Sequence, residues 1–243
     1  MTAPIISVEN VSFSYTIRHG SAKSLKQTAI NLVRGVKSDV VIAALDDINF
    51  KLMRGEVLGV IGSNGAGKST LVKLLAGILS PSNGTIRING KISPMIELGA
   101  GFSHELTGEE NIQLFGVLLG HSRELMRDQT KSIAEWAGLT EHIDLPIRAY
   151  STGMVARLGF AVATFKTSDL LLIDEVLSVG DAEFKDKSLA RMKDLISQGE
   201  SSILVSHDLN LIKENTSKVL WIEQGRQIMF GETREVLDAY RTS

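Results

Sequence analysis

The chain has 243 residues, enough to bury the core of one large domain or of a domain with a subdomain. Its formal net charge of −2 leaves no basic field that would point to nucleic acid. Cysteine is absent, which excludes disulfides, and no apolar run approaches the ~18 residues of a membrane span. Met1 to Ser7 lacks the basic-then-apolar pattern of a signal peptide. The expectation is a protein that is soluble or peripheral to a membrane, on the cytoplasmic side.

Ile6 to Tyr15 alternates apolar and polar residues and predicts an antiparallel strand. The segment Thr16 to Ala44 interrupts that pattern. Within it Leu25, Ala29, Leu32, Val33 and Val36 share one helical face, with Lys26, Arg34 and Lys37 off it. This predicts an amphipathic basic helix over residues 22–37, whose apolar face can close on the chain's own core or dock elsewhere. Ile48, Phe50 and Leu52 alternate again before Arg54-Gly55, so a β-layer leads into the apolar run Val57 to Ile61. That run reads as a buried parallel strand.

Next comes Gly62-Ser63-Asn64-Gly65-Ala66-Gly67-Lys68-Ser69-Thr70, which matches the phosphate-binding pattern G-x-x-x-x-G-K-[ST]. Apolar residues at helical spacing follow it from Leu71 to Leu79. Strand, glycine loop and helix form the context that the pattern needs. Glycines let successive backbone N–H groups face phosphate oxygens, and a helix N-terminus adds partial positive charge. Lys68 can reach terminal phosphates, and the Ser69 hydroxyl can ligate Mg²⁺.

Ser80 to Gly84 reads as a turn cluster and Thr85 to Gly90 as another strand. Met95 to Phe102 is apolar with one acid, Glu97, between glycines. Thr107 and Glu110 stand at capping-box spacing. From there to Phe165 the pattern is mostly helical, broken at Gly120, Gly138 and Pro146. A helical subdomain (about 98–165) inserted in an α/β core (about 1–97 and 166–243) is expected. Leu170 to Ile173 is a second buried strand, ending in Asp174-Glu175, and Ser202 to Ser206 a third, ending in His207. Val219 to Ile222 and Gln227 to Phe230 predict a hairpin about Gln224-Gly225-Arg226, and a terminal helix runs from Glu232 to Tyr240.

An apolar strand ending in Asp-Glu, downstream of a phosphate loop, suits nucleotide hydrolysis. Asp174 would hold Mg²⁺ and Glu175 would polarise the attacking water. His207 ends a strand facing the same cleft and could hydrogen-bond the γ-phosphate. Tyr150-Ser151-Thr152-Gly153-Met154 opens a helical run with a small hydroxyl residue and a flexible backbone. Alone it is a helix cap.

With the other motifs, Ser151-Thr152-Gly153-Met154 resembles the signature motif of ABC-type ATPases, usually L-S-G-G-Q. Ser151 and Gly153 match it, while Thr152 and Met154 depart. Tyr15 resembles the family's adenine-stacking aromatic, and Ser178-Val179-Gly180-Asp181 its loop between the two active sites, with Asp181 at the Asp. The resemblance covers essentially the whole chain. It implies a P-loop α/β fold with an antiparallel β-layer, ATP and Mg²⁺ as cofactors, and a homodimer in which Ser151 to Met154 face the nucleotide of the opposite subunit.

Where the family has a Gln between core and helical subdomain, this chain has Glu97. A metal or nucleotide role and a coupling or structural role both stay open for it. The segment around Glu97, with Glu105 to Ile112, the signature variant and the inserted helix, is similar to the polysaccharide-export branch. This branch exports O-antigens, teichoic acids and capsular glycans. The resemblance implies an ATPase that drives a lipid-linked polysaccharide through a separate polytopic membrane subunit, from the cytoplasmic face. No appended carbohydrate-binding domain is expected after the terminal helix. The alternatives are the ATPase of a lipid, drug or nutrient transporter, or a soluble ABC-type ATPase outside transport.

Overall fold

The computed structural model describes residues 3–17, 40–95, 99, 101–166, 168–174, 182–198 and 200–242. The expected helix over 22–37 and the predicted site residues Glu97, Glu175 and Asp181 lie outside them. The elements are β1 (Ile6–Ile17), β2 (Val40–Leu52), β3 (Val57–Ile61), α1 (Lys68–Leu75), β4 (Asn83–Ile88), β5 (Ile92–Met95), α2 (Gly108–Leu118), α3 (Arg123–Ala137), α4 (Thr152–Thr164), β6 (Leu170–Asp174), α5 (Ala182–Ser197), β7 (Ser201–Val205), α6 (Leu209–Asn215), β8 (Lys218–Glu223), β9 (Arg226–Glu232) and α7 (Thr233–Arg241).

Among the described residues the strands form one sheet in the order β4-β1-β2-β9-β8-β3-β7-β6-β5. The antiparallel layer β4-β1-β2 is the one expected. It meets the rest through a single parallel bridge, Asp46 to Arg226. Strands β8, β3, β7, β6 and β5 run parallel, with β3 near the centre. All five residues of β3 are buried, as for a parallel strand covered on both faces.

Strand alternation explains the two sides of the core. Leu170 and Leu172 of β6 join one cluster, Leu171 and Ile173 the other. The first cluster also holds Leu71, Val72 and Leu75 of α1 together with Val8 and Phe50 of the antiparallel layer. Helix α1 is therefore clasped between two β-layers, and its N-terminus has little freedom to move. The second cluster packs Phe160 of α4, Met192 of α5 and Ile212 of α6 under the sheet. Truncating such a fully buried Leu or Ile to Ala costs ~2–5 kcal/mol.

Caps set several boundaries. Thr107 and Glu110 form the reciprocal capping box, with the Glu110 N–H donating to Thr107 Oγ1 (3.2 Å) and the Thr107 N–H to Glu110 Oε2 (2.9 Å). Helix α1 stops four residues short of the expected Leu79. Gly77 is left-handed (φ 72°), and the Ile78 and Gly77 N–H groups close on the Lys73 and Leu74 carbonyls, a Schellman end. Arg191 of α5 donates to the Thr164 carbonyl at the end of α4 (2.6 and 3.2 Å), where a cation also suits the helix dipole.

Two local expectations change. Strand β4 begins at Asn83, inside the expected turn cluster. A Cβ on Gly84 (φ 83°) would lie 2.2 Å from the Asn10 carbonyl oxygen, and the β1 register shifts between Glu9 and Ser12. The glycine marks close approach at a β-bulge, not a chain reversal. Strand β5 was not anticipated, because Pro94 interrupts its pattern. Among the described residues it pairs only with β6, at the sheet's end, where a missing N–H is tolerated.

Glu200, just before β7, is buried. Its Oε1 accepts the Ser168 N–H (2.8 Å), and Oε2 has no partner among the described residues. Burial pushes its carboxyl above the ordinary range, although the Ser168 N–H and the Arg191 charge pull the other way. A carboxyl that binds its proton more tightly when folded destabilises the fold as pH rises through the carboxylate range. Glu200→Gln is thus expected to raise the thermal midpoint near neutral pH, with the gain shrinking toward about pH 4, near the unfolded carboxyl pKa. Thermal melts across that range check this, and a midpoint below wild type at neutral pH would contradict it.

Candidate nucleotide site

The turn from β3 into α1 is made by Gly62 to Gly67. Gly62 (φ 146°), Gly65 (φ 80°) and Gly67 (φ 107°) all lie in backbone regions that side chains disfavour. Two of them are also sterically required. A Cβ on Gly62 would stand 1.9 Å from the Ile222 carbonyl oxygen, and one on Gly67 2.6 Å from that of Ala44. Helix α1 begins at Lys68, so its free N–H groups open directly onto the loop.

Lys68 is buried, and its ammonium donates to the carbonyls of Gly62 and Ser63 at 2.9 Å each. The cation lies within the curl of the loop. An anion bound there would meet helix N–H groups, the helix dipole and this lysine together.

A cavity of about 550 Å³ opens over the loop. Of the predicted residues, Tyr15, Asn64, Gly65, Gly67, Lys68, Ser69, Thr70, Asp174 and His207 line it. Gly62, Ser63 and Ala66 build the loop from behind. Asp174 ends β6 opposite Val205 of β7, and His207 follows two residues beyond Val205. Sheet register thus delivers both side chains to the end of the parallel sheet where ligands bind in this class of fold. Tyr15 is two-fifths exposed, sits edge-on to Phe13 at 4.9 Å, and brings its hydroxyl to 3.4 Å from Thr70 Oγ1. Its ring forms a wall of the cavity that a flat base could cover.

Ser151 caps α4, its Oγ accepting the Met154 N–H at 3.2 Å. Among the described residues, a Cβ on Gly153 would meet this hydroxyl at 3.8 Å and nothing nearer. None of Ser151, Thr152, Gly153 and Met154 lines the cavity in the same chain. Glu97, Glu175 and Asp181 lie outside the described residues.

Several cavity residues were not anticipated: Ile42, Ala43 and Ala44 of β2, Val205 of β7, and Gln224 and Gly225 of the β8–β9 turn. Gln224 (φ 49°) and Gly225 (φ 80°) are both left-handed, as a two-residue type I′ hairpin requires. The turn was legible from Gln224-Gly225, but its place beside the loop was not. The Gly225 N–H donates to the Ala66 carbonyl at 3.0 Å, and only the folded sheet makes that neighbour.

Loop, lysine, strand-end acid and parallel sheet define a P-loop nucleotide hydrolase. Comparison with known proteins narrows the class. The family model described as ABC transporter matches residues 45–178. The chain is 37% identical over 244 residues to the O-antigen export system ATP-binding protein RfbB of Klebsiella pneumoniae, covering 98% of each. It is 40% identical to the protein of the same name from Myxococcus xanthus, but spans only 56% of that relative's length. Identity to the teichoic acids export ATP-binding protein TagH of Bacillus cereus is 35%, over 97% of this chain and 42% of that one. Among solved structures, a dimeric ATP-binding cassette in a post-hydrolysis state with ADP and Pi superposes with TM-score 0.74 at 20% identity, covering 94% of this chain and 99% of that one. The ATP-binding subunit of an ABC transporter gives 0.75 at 22%, covering 98% and 93%. The chain belongs to the ABC transporter family and carries its ATPase domain.

Gly67→Ala tests the loop geometry. The added Cβ meets a backbone carbonyl and a φ that L residues rarely adopt, and such strain costs ~1–3 kcal/mol. Equilibrium binding of ATP is expected to weaken at least about tenfold, the effect of 1.4 kcal/mol at the loop. Unaltered affinity would show that the loop approaches Ala44 less closely.

Proposed function

We propose that this chain is the ATP-hydrolysing subunit that drives export of a lipid-linked polysaccharide across the cytoplasmic membrane, through a separate transmembrane subunit. The observation that carries the substrate class is the match along 98% of both chains to an O-antigen export ATP-binding protein. No helix among the described residues is long and apolar enough to cross a membrane, so the translocation path would belong to the partner. The chain would sit as a homodimer at the cytoplasmic face. The core would comprise about residues 1–97 and 166–243, the helical subdomain 98–165, and a helix over 22–37 would reach the partner or the lipid surface.

Each side chain then has a task. The Tyr15 ring stacks on adenine. The Gly62–Thr70 loop, with Ser63, Asn64, Gly65, Ala66 and Gly67 shaping the curl, holds the phosphates through main-chain N–H groups at the start of α1, and Lys68 turns from its carbonyl partners to the β- and γ-oxygens. The Ser69 hydroxyl and the Asp174 carboxylate are hard oxygen donors that both line the cavity. Among the described residues no cluster of three His, Asp or Glu forms a protein cage. Two protein oxygens with phosphate and water suit Mg²⁺, which takes few protein ligands, and Glu97 could supply another. Mg²⁺ held by these residues would supply positive charge beside the phosphates. Glu175 orients the attacking water, and His207 donates a hydrogen bond to the γ-phosphate. Ser151, Thr152, Gly153 and Met154 present a helix N-terminus to the γ-phosphate held by the other subunit, and Asp181 links the two sites.

Glu175→Gln is expected to bind ATP but hydrolyse it ~10²–10⁴-fold more slowly, the usual contribution of a positioned general base. Steady-state turnover of the purified variant measures this, and near-normal turnover removes Glu175 from the role. Shared sites are tested by mixing Lys68→Ala chains with Ser151→Arg chains. A mixed dimer should keep one site free of both changes and regain ATP binding that neither homodimer shows. Failure of every mixture to regain it would argue against sites shared between chains.

A further inference from the structure

We propose that Glu223, the last residue of β8, is a positioning residue of the ATPase: it sets the Ser63 peptide, on which the phosphate-loop lysine rests. This rests on the ATP site proposed above. The Ser63 hydroxyl donates to Glu223 Oε1, and the Ser63 N–H donates to Glu223 Oε2 at 3.3 Å. One carboxylate thus takes both donors of one loop residue. The Ser63 carbonyl accepts from Lys68 Nζ at 2.9 Å. The same peptide segment is therefore held from outside by Glu223 and faces inward to the lysine.

Glu223 does not act alone on the loop. The preceding residue brings its carbonyl so close to Gly62 that a Cβ there would lie 1.9 Å away. Two residues on, the Gly225 N–H donates to the Ala66 carbonyl at 3.0 Å. Three successive points of one hairpin grip the start, the second residue and the far end of the loop's curl. The hairpin is itself anchored, since the Asp46 N–H donates to the Gly225 carbonyl at 2.8 Å. Of the three grips, two are main-chain and need no particular side chain. The one on Ser63 runs through a side chain, and it needs one whose two terminal polar atoms can meet both the Ser63 N–H and the Ser63 hydroxyl.

The Ser63 hydroxyl is the main reason the Glu223 carboxyl lies below its ordinary range, with the Ser63 N–H and the Lys68 charge acting the same way. The group is thus an ionised double acceptor at neutral pH. Its consequence for binding is preorganisation. With Ser63 held, the loop is already curled when nucleotide arrives, and less ordering opposes binding. The two hydrogen bonds that Glu223 accepts come from Ser63, a residue of the binding loop, so its removal should weaken binding of ground state and transition state alike.

The test uses the full chain with Mg–ATP, measuring KM and kcat for hydrolysis and equilibrium ATP binding. Glu223→Ala is expected to raise KM about tenfold, as for loss of hydrogen bonds to a charged group, while kcat changes far less. Glu223→Gln is expected to recover most of the affinity, because its amide oxygen can accept the Ser63 N–H while its NH₂ donates to the hydroxyl. Ser63→Ala, which keeps the N–H contact, is expected to fall between wild type and Glu223→Ala. Thermal midpoints without nucleotide confirm that the variants are folded. The assignment is overturned if folded Glu223→Ala keeps the wild-type KM, or if Glu223→Gln is as impaired as Glu223→Ala, which would mean charge and not geometry. A wild-type chain that binds no ATP would overturn the ATP site itself as well.

Discussion

The constraint behind the rest of the molecule is that a buried strand must pass into a helix while leaving the N–H groups of the helix's first turn without intrahelical partners. Such groups are costly in a dry interior, so they belong at a cavity. The curl also needs backbone conformations that only glycine adopts freely, and space that no Cβ could share with the Ile222 and Ala44 carbonyls. Close approach from both sides is what holds the curl open. The antiparallel strand β2 closes on Gly67, and the β8–β9 hairpin reaches Gly62, Ser63 and Ala66.

From this follows the shape of the core. Helix α1 has to be immobile if its N-terminus is to serve as an anion site, and two β-layers clasp its apolar face. Strand β7 lies beside β3 and β6 beside β7, all in parallel, and so they deliver Asp174 and His207 to the same end as the loop. A parallel sheet with both faces covered sends its strand ends to one rim, where acids and donors can converge without burying unpaired charge.

Helix α4 faces a different requirement. Its start is capped by Ser151, while its end is held by Arg191 from α5. Ser151 to Met154 do not line the cavity that Lys68, Asp174 and His207 share within one chain. The homodimer proposed above would bring this helix start to the nucleotide of a second copy.

Much was legible before folding. The glycine loop, its strand and helix, the capping box at Thr107, the hairpin at Gln224-Gly225 and the strand-end acid at Asp174 all have local causes: steric freedom, side chain-to-backbone hydrogen bonding and periodic burial. What the sequence could not show was who meets whom across long separations. Pro94 hid strand β5 because its tolerance depends on lying at the sheet's end, a tertiary fact. Gly84 looked like a turn because only the neighbouring Asn10 carbonyl reveals the bulge. Ile42, Ala44 and Gln224 gave no sign that they line the cavity. Glu223 resembled any polar strand-end residue, although it lies against Ser63, 160 positions earlier in the chain. Local chemistry is written in short windows of sequence, whereas the contacts that orient it depend on sheet order and register, which only the folded chain decides.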